Sequence, residues 1–176
     1  MGRDLRVGRA NAASYRSNAR IFCMDEIDRN ILAQLQMDSG RSHADLAEVV
    51  HLSASQVSRR ISRLQAEGVI RGQVALLDEQ ALGLQVEAFV AVAMASYAPD
   101  AVRAFHDRIS ALEEVLDCCA TTGASDYLLR VVARDLRAYS RLMNEEILGH
   151  GDVASVRSSV VLDRIKRTTA LPLGGP

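Results

Sequence analysis

Residues 52–64 read LSASQVSRRISRL, and this stretch decides the architecture of the first half of the chain. Val57, Ile61 and Leu64 recur at i, i+4 and i+7, the spacing of one apolar helical face. Ser53 with Gln56 makes an S-x-x-Q capping box at the start, and Gly68 stops the helix after about Glu67. Opposite the apolar stripe, Gln56, Arg60 and Arg63 are expected at i, i+4 and i+7, with Ser55 and Arg59 alongside. Three arginines with amide and hydroxyl donors suit a helix that reads the major groove. There Arg grips guanine, Gln grips adenine, and hydroxyls hold phosphate. The alternative is a solvated surface without a partner. The helix and tight turn that come before favour the first reading, because they supply the docking geometry.

Upstream, Ile27, Ile31, Leu32 and Leu35 form one face of a first helix, with Asp25, Glu26 and Asp28 at its electrostatically favourable N-terminal end. After the turn at 38–40, Ser42 and Asp45 cap a second helix that turns Leu46, Ala47 and Val50 inward. Three helices of about 12, 9 and 14 residues with short turns predict a tri-helical, winged helix-turn-helix unit over 24–73. Residues 1–23 carry five Arg, one Asp and no apolar period. They read as a flexible basic arm, or as residues outside the mature protein, with Met24 as an alternative start.

Charge separates the two halves. Residues 1–73 hold 11 Arg against 8 acidic residues, and 74–176 hold 10 basic against 14 acidic, within a net charge of −1. Only the first half is therefore expected to meet a polyanion. Half the 176 residues are apolar (48%), which excludes a disordered chain. The longest apolar run, Ala88 to Ala95, is far short of the ~20 residues of a membrane span, and no secretory signal opens the chain. A soluble, cytoplasmic protein is expected.

Val69 to Leu77 is β-rich and leads through a turn at 78–83, a linker expected over 74–85. Beyond it, strands at 86–95, 115–121, 127–133 and 153–162 alternate with helices that start at Pro99 and near Leu136. A short fifth strand is expected near 168–171. The order β-α-β-β-α-β predicts a ferredoxin-like α+β domain over 86–176, whose open sheet face serves for dimerisation.

The whole of residues 24–173 resembles the Lrp/AsnC (feast/famine) transcription regulators. The resemblance is carried by LSASQVSRRISRL with EGVI, then DEQALG, TTGASDYLL and VLDRIKRTTALPL. It implies a sequence-specific DNA-binding regulator in which Ser53, Ser55, Gln56, Ser58, Arg59, Arg60 and Arg63 face double-stranded DNA. It also implies a ligand-binding second domain, a homodimer that can build octamers, and an effector that is commonly an amino acid. Thr122, Gly123, Ser125, Asp126 and Tyr127 fall on the family's effector loop. Gly123 lets N–H groups approach a ligand carboxylate, and Asp126 can pair with an α-ammonium. The competing reading is a turn whose Asp bonds backbone. Ser125 stands where an aromatic residue is more usual, leaving room for a bulkier ligand.

No catalytic residue, cofactor or metal is expected. His43, His51, His106 and His150 lack metal-ligand spacing, and no phosphate-binding Gly-rich motif occurs. Cys118 and Cys119, in an alternating apolar strand, are expected to be small buried hydrophobes. Two other readings share this architecture: a sirohaem-decarboxylase-like enzyme, and an effector-independent architectural DNA-binding protein. The arginines of the third helix argue against the first of these, and the Asp126 loop is not required by the second.

Overall fold

In a computed structural model that describes residues 24–174, local caps start the first three helices. The basic arm expected at 1–23 lies outside the described residues. α1 (Glu26–Met37) begins at Asp25, whose carboxylate accepts from the Asp28 N–H while Asp28 accepts from the Asp25 N–H. α2 (His43–Val50) and α3 (Ala54–Ala66) start with the same reciprocal box, Ser42 with Asp45 and Ser53 with Gln56. Each box satisfies two otherwise orphaned donors and contributes about 1 kcal/mol. α2 ends at His51, a left-handed residue (φ 55°) whose N–H bonds Ala47 C=O and which turns the chain tightly toward α3. Ile31, Leu46, Val57 and Leu64 are fully buried and hold the three helices together.

The second half forms β1 (Val86–Met94), α4 (Pro99–Ala111), β2 (Val115–Ala120), β3 (Tyr127–Ala133), α5 (Leu136–Arg141) and β4 (Val153–Val160). The four strands are antiparallel in the order β2-β3-β1-β4, the ferredoxin-like topology. Alternation along β1 decides its faces: Val86, Ala88, Val90, Val92 and Met94 are buried beneath Phe105 and Ile109 of α4. Glu87, Phe89, Ala91 and Ala93 point to the open face. α5 runs on into a π-helical turn, Leu142–Ile147, closed by the Leu148 N–H on Met143 C=O at 2.9 Å. The wider turn brings Leu142, Met143 and Ile147 inward together. A Cβ on Gly149 would lie 2.5 Å from the Glu145 carbonyl oxygen, so that position admits only glycine.

Three expectations fail. The β-rich run 69–77 pairs with no strand among the described residues, and Val74, Leu76 and Leu77 stand largely exposed. β propensity needs a ladder partner, and the single chain offers none there. The fifth strand near 168–171 does not form, because the Gln36 side-chain amide takes both the Leu171 N–H (2.6 Å) and C=O (3.0 Å). Cys118 and Cys119 are exposed rather than buried, since β2 is an edge strand that is little covered on either face.

The described chain divides into two compact units, residues 24–73 with 169–174, and residues 74–168. The first unit keeps the expected 24–73, and the units differ from the expected domains in the tail and the linker. The tail from 169 leaves the second domain for the first unit, drawn by the Gln36–Leu171 pair. The expected linker 74–85 belongs to the second unit, where Glu79 binds Arg167 through both carboxylate oxygens, at 2.6 and 2.5 Å, and meets Arg130 at 3.3 Å. Arg130 and Arg164 also hold Glu87. The Arg167 hydrogen bonds lower the Glu79 pKa from 4.5 to about 2. A depressed folded-state pKa stabilises fully above pH 4.5, and that contribution fades as pH falls toward 2. The stability gap between wild type and Glu79→Gln in urea titrations should be constant from pH 7 to 4.5 and close toward pH 2. A gap that stays flat through pH 3 contradicts the ion pair.

Candidate nucleic-acid interface and effector loop

At 100° per residue, Arg59 points about 170° away from the centre of the buried Val57/Ile61/Leu64 stripe, with Ser55 beside it. Arg60 lies only about 65° from that centre. The two neighbours are therefore in different surroundings. Arg60 Nη1 donates to Asp25 at 2.7 Å and to Asp28 at 2.8 Å, and Arg63 Nη2 pairs with the other Asp28 oxygen. Asp28 is 0% exposed, the buried charge of this unit. The hydrogen bonds from the Asp28 backbone and from Arg60 hold the Asp25 carboxyl below its usual range. Removing one partner of a buried pair leaves an uncompensated charge, at about 3–5 kcal/mol.

Of the row Gln56, Arg60 and Arg63 expected opposite the core, the two arginines thus pair with the start of α1, and Gln56 stays exposed. Gln56 accepts from the Ser53 N–H at 3.0 Å as a cap, and Ser53 Oγ lies 3.1 Å from Ser55 Oγ. Ser58 is half-buried, whereas Arg59 is exposed and makes no ion pair among the described residues. Asp25, Leu52, Gln56, Arg59, Arg60 and Arg63 line an open cleft of about 310 Å³. Sequence reasoning missed the Asp25–Asp28 side of this cluster. Both residues read there as partners of a helix end, and nothing local signals a contact 32 to 35 residues away.

In the second unit, Thr122, Gly123, Ser125 and Asp126 lie in the turn between β2 and β3, and Tyr127 opens β3. Gly123 takes φ 135°, and Thr121 Oγ1 donates to the Ser125 carbonyl at 2.7 Å. The Asp126 carboxylate accepts from the Met94 N–H at 2.7 Å and from the Tyr97 hydroxyl at 2.9 Å. That hydrogen bond raises the Tyr97 pKa above its usual value. Tyr127 turns to the helix side, its hydroxyl 2.8 Å from His106 Nε2 and its ring centroid 4.9 Å from that of Phe105. Burial raises the Tyr127 pKa. Tyr97 and Met94 were not anticipated as partners of the loop, because they lie at the end of β1 and just beyond it, 29 and 32 residues earlier in the chain. Among the described residues no cluster of His, Cys, Asp and Glu could hold a metal, and no helix is long and apolar enough to cross a membrane.

Two family profiles match the chain: a winged helix-turn-helix DNA-binding domain over residues 24–71, and the Lrp/AsnC ligand binding domain over 87–171. The leucine-responsive regulatory protein of Escherichia coli is 35% identical over 148 residues, 84% of this chain and 90% of that protein. The chain belongs to the Lrp/AsnC family. Among solved Lrp/AsnC-like structures, a Neisseria meningitidis transcriptional regulator in complex with L-Met aligns with a TM-score of 0.82 at 37% identity. It covers 85% of this chain and 97% of that one. An AsnC family regulator from Agrobacterium tumefaciens aligns at 0.80 with 39% identity, over the same shares. As an Lrp/AsnC member, the protein is a transcriptional regulator that joins a DNA-binding helix-turn-helix to a ligand-binding ferredoxin-like domain.

Proposed function

We propose that α3 enters the major groove of a specific duplex and that an amino acid bound at the Thr122–Tyr127 turn changes DNA affinity. The observation that carries the first part is Arg59, an exposed guanidinium on the outermost line of a capped recognition helix, with Ser55 one turn before it. Its fork is free to grip guanine O6 and N7, and the Ser55 hydroxyl suits a phosphate. The working form is a cytoplasmic dimer through the open sheet face, where Phe89 and Leu128 are exposed. It acts without catalysis, cofactor or metal.

The effector reading rests on the Asp126 carboxylate. One oxygen braces the turn through Met94 N–H, while the other holds only the exposed Tyr97 hydroxyl. An α-ammonium can replace that hydroxyl, gaining charge assistance, as the ligand carboxylate meets N–H groups near Gly123. L-Met in the Neisseria regulator and leucine in the name of the Escherichia coli relative support an amino acid as the class. A ligand between subunits shifts their arrangement by its differential affinity, typically ~1–3 kcal/mol.

A thermal-shift screen of the twenty amino acids tests this, since a ligand of the folded state raises Tm. Tyr97→Phe frees one Asp126 oxygen and should tighten the best hit by roughly 2- to 10-fold, one hydrogen bond's worth. No shift with any amino acid would remove the effector class.

A further inference from the structure

Asp28 is a fully buried carboxylate that does more than complete the capping box of its own helix. The first half of the α1 box is made by the Asp25 side chain on the Asp28 N–H, at 2.8 Å. The return bond from the Asp25 N–H is long, at 3.3 Å. The main partners of the Asp28 side chain are instead Arg60 on one oxygen and Arg63 on the other, one turn apart along the flank of α3. A single buried anion gripping two points on a helix fixes the rotation of that helix about its axis. That rotation decides which side chains face outward.

We propose that Asp28 is a positioning residue for DNA recognition. It holds Arg60 and Arg63 as a brace, so that α3 presents Arg59 and Ser55 to the duplex, and the two braced arginines do not read bases. This rests on the reading of α3 as the DNA-binding helix. Bidentate reading of guanine needs a free guanidinium fork. Arg60 Nη1 is held by two carboxylates, and lifting Arg60 onto a base would leave Asp28 half-paired in an apolar interior. The pairing also cancels charge in place, so the two arginines add little to counterion release.

That cancellation separates positioning from mere stability. Asp28→Asn frees Arg63, leaves Arg60 only the exposed Asp25 carboxylate, and adds one positive charge. Binding to any duplex should then tighten as discrimination falls, whereas a chain that has only lost its fold would lose both. The test uses fluorescence anisotropy on the full chain with two probes. One is the duplex that wild type enriches from a random-sequence pool, and the other is a scrambled duplex of the same composition. Asp28→Asn should bind the scrambled duplex more tightly, with a salt slope steeper by about 1. Its preference for the enriched duplex should drop roughly 5- to 150-fold, with selectivity loosened at several base pairs together.

Arg60→Lys keeps a charge for Asp28 but no bidentate fork. It should weaken the enriched duplex evenly across positions. If Asp28→Asn shows no cooperative melt, the base-preference profiles of Arg60→Lys and Arg63→Lys decide the matter. A loss confined to one base pair makes that arginine a reader and overturns the brace. So does an Asp28→Asn chain that folds and keeps the wild-type preference. If wild type enriches no duplex, the reading of α3 falls and the brace falls with it, an outcome distinct from the other two.

Discussion

Arg59→Ala should weaken binding to the enriched duplex by about 1–3 kcal/mol, a factor of roughly 5 to 150, and erase preference at one base pair. The expectation follows from contrast on a single helix. Arg60 and Arg63 are committed to Asp28, while Arg59 is exposed without an ion pair among the described residues. Removing Arg59 leaves no buried charge behind, so α3 should keep its fold and its cap at Ser53. Equal weakening on every sequence, with a salt slope flatter by about 1, would move Arg59 to a phosphate. Unchanged affinity in gel shift or anisotropy removes it from the interface.

Asp126→Asn should lower affinity for the amino-acid ligand by about 10- to 150-fold, the loss of one charge-assisted hydrogen bond. Asparagine keeps a carbonyl oxygen for the Met94 N–H, so the turn stays braced, whereas alanine would unbrace it. Ligand-free DNA affinity should stay within about twofold, since the turn belongs to the second unit and α3 to the first. Calorimetry with the best hit from the screen is the measurement. Equal binding to both chains would make the loop a turn alone and put the effector elsewhere.

Much of the fold was legible because it is local. The Ser42–Asp45 and Ser53–Gln56 boxes, the Val57/Ile61/Leu64 stripe, Pro99 at a helix start and the alternation of β1 each state their element within a few residues. Legibility ended where a residue had two suitors. Propensity made a strand of 69–77 and of 168–171, but strands need ladder partners, and the Gln36 amide took the backbone of Leu171 instead. The shared i, i+4, i+7 spacing of Gln56, Arg60 and Arg63 was read as one outer row, yet Arg60 lies on the flank of α3 and meets Asp28, 32 residues earlier in the chain. At the loop, Asp126 and Gly123 were visible from the turn itself. Tyr97, which completes the carboxylate, sits 29 residues away.

The most direct test is titration of the full chain with its enriched duplex and with the scrambled one, with and without each amino acid. A regulator that reads through α3 and answers at the Asp126 turn should prefer the enriched duplex by about 10³-fold or more. At least one amino acid should change that affinity by roughly 5- to 150-fold. A chain that binds both duplexes alike, whatever amino acid is added, contradicts it.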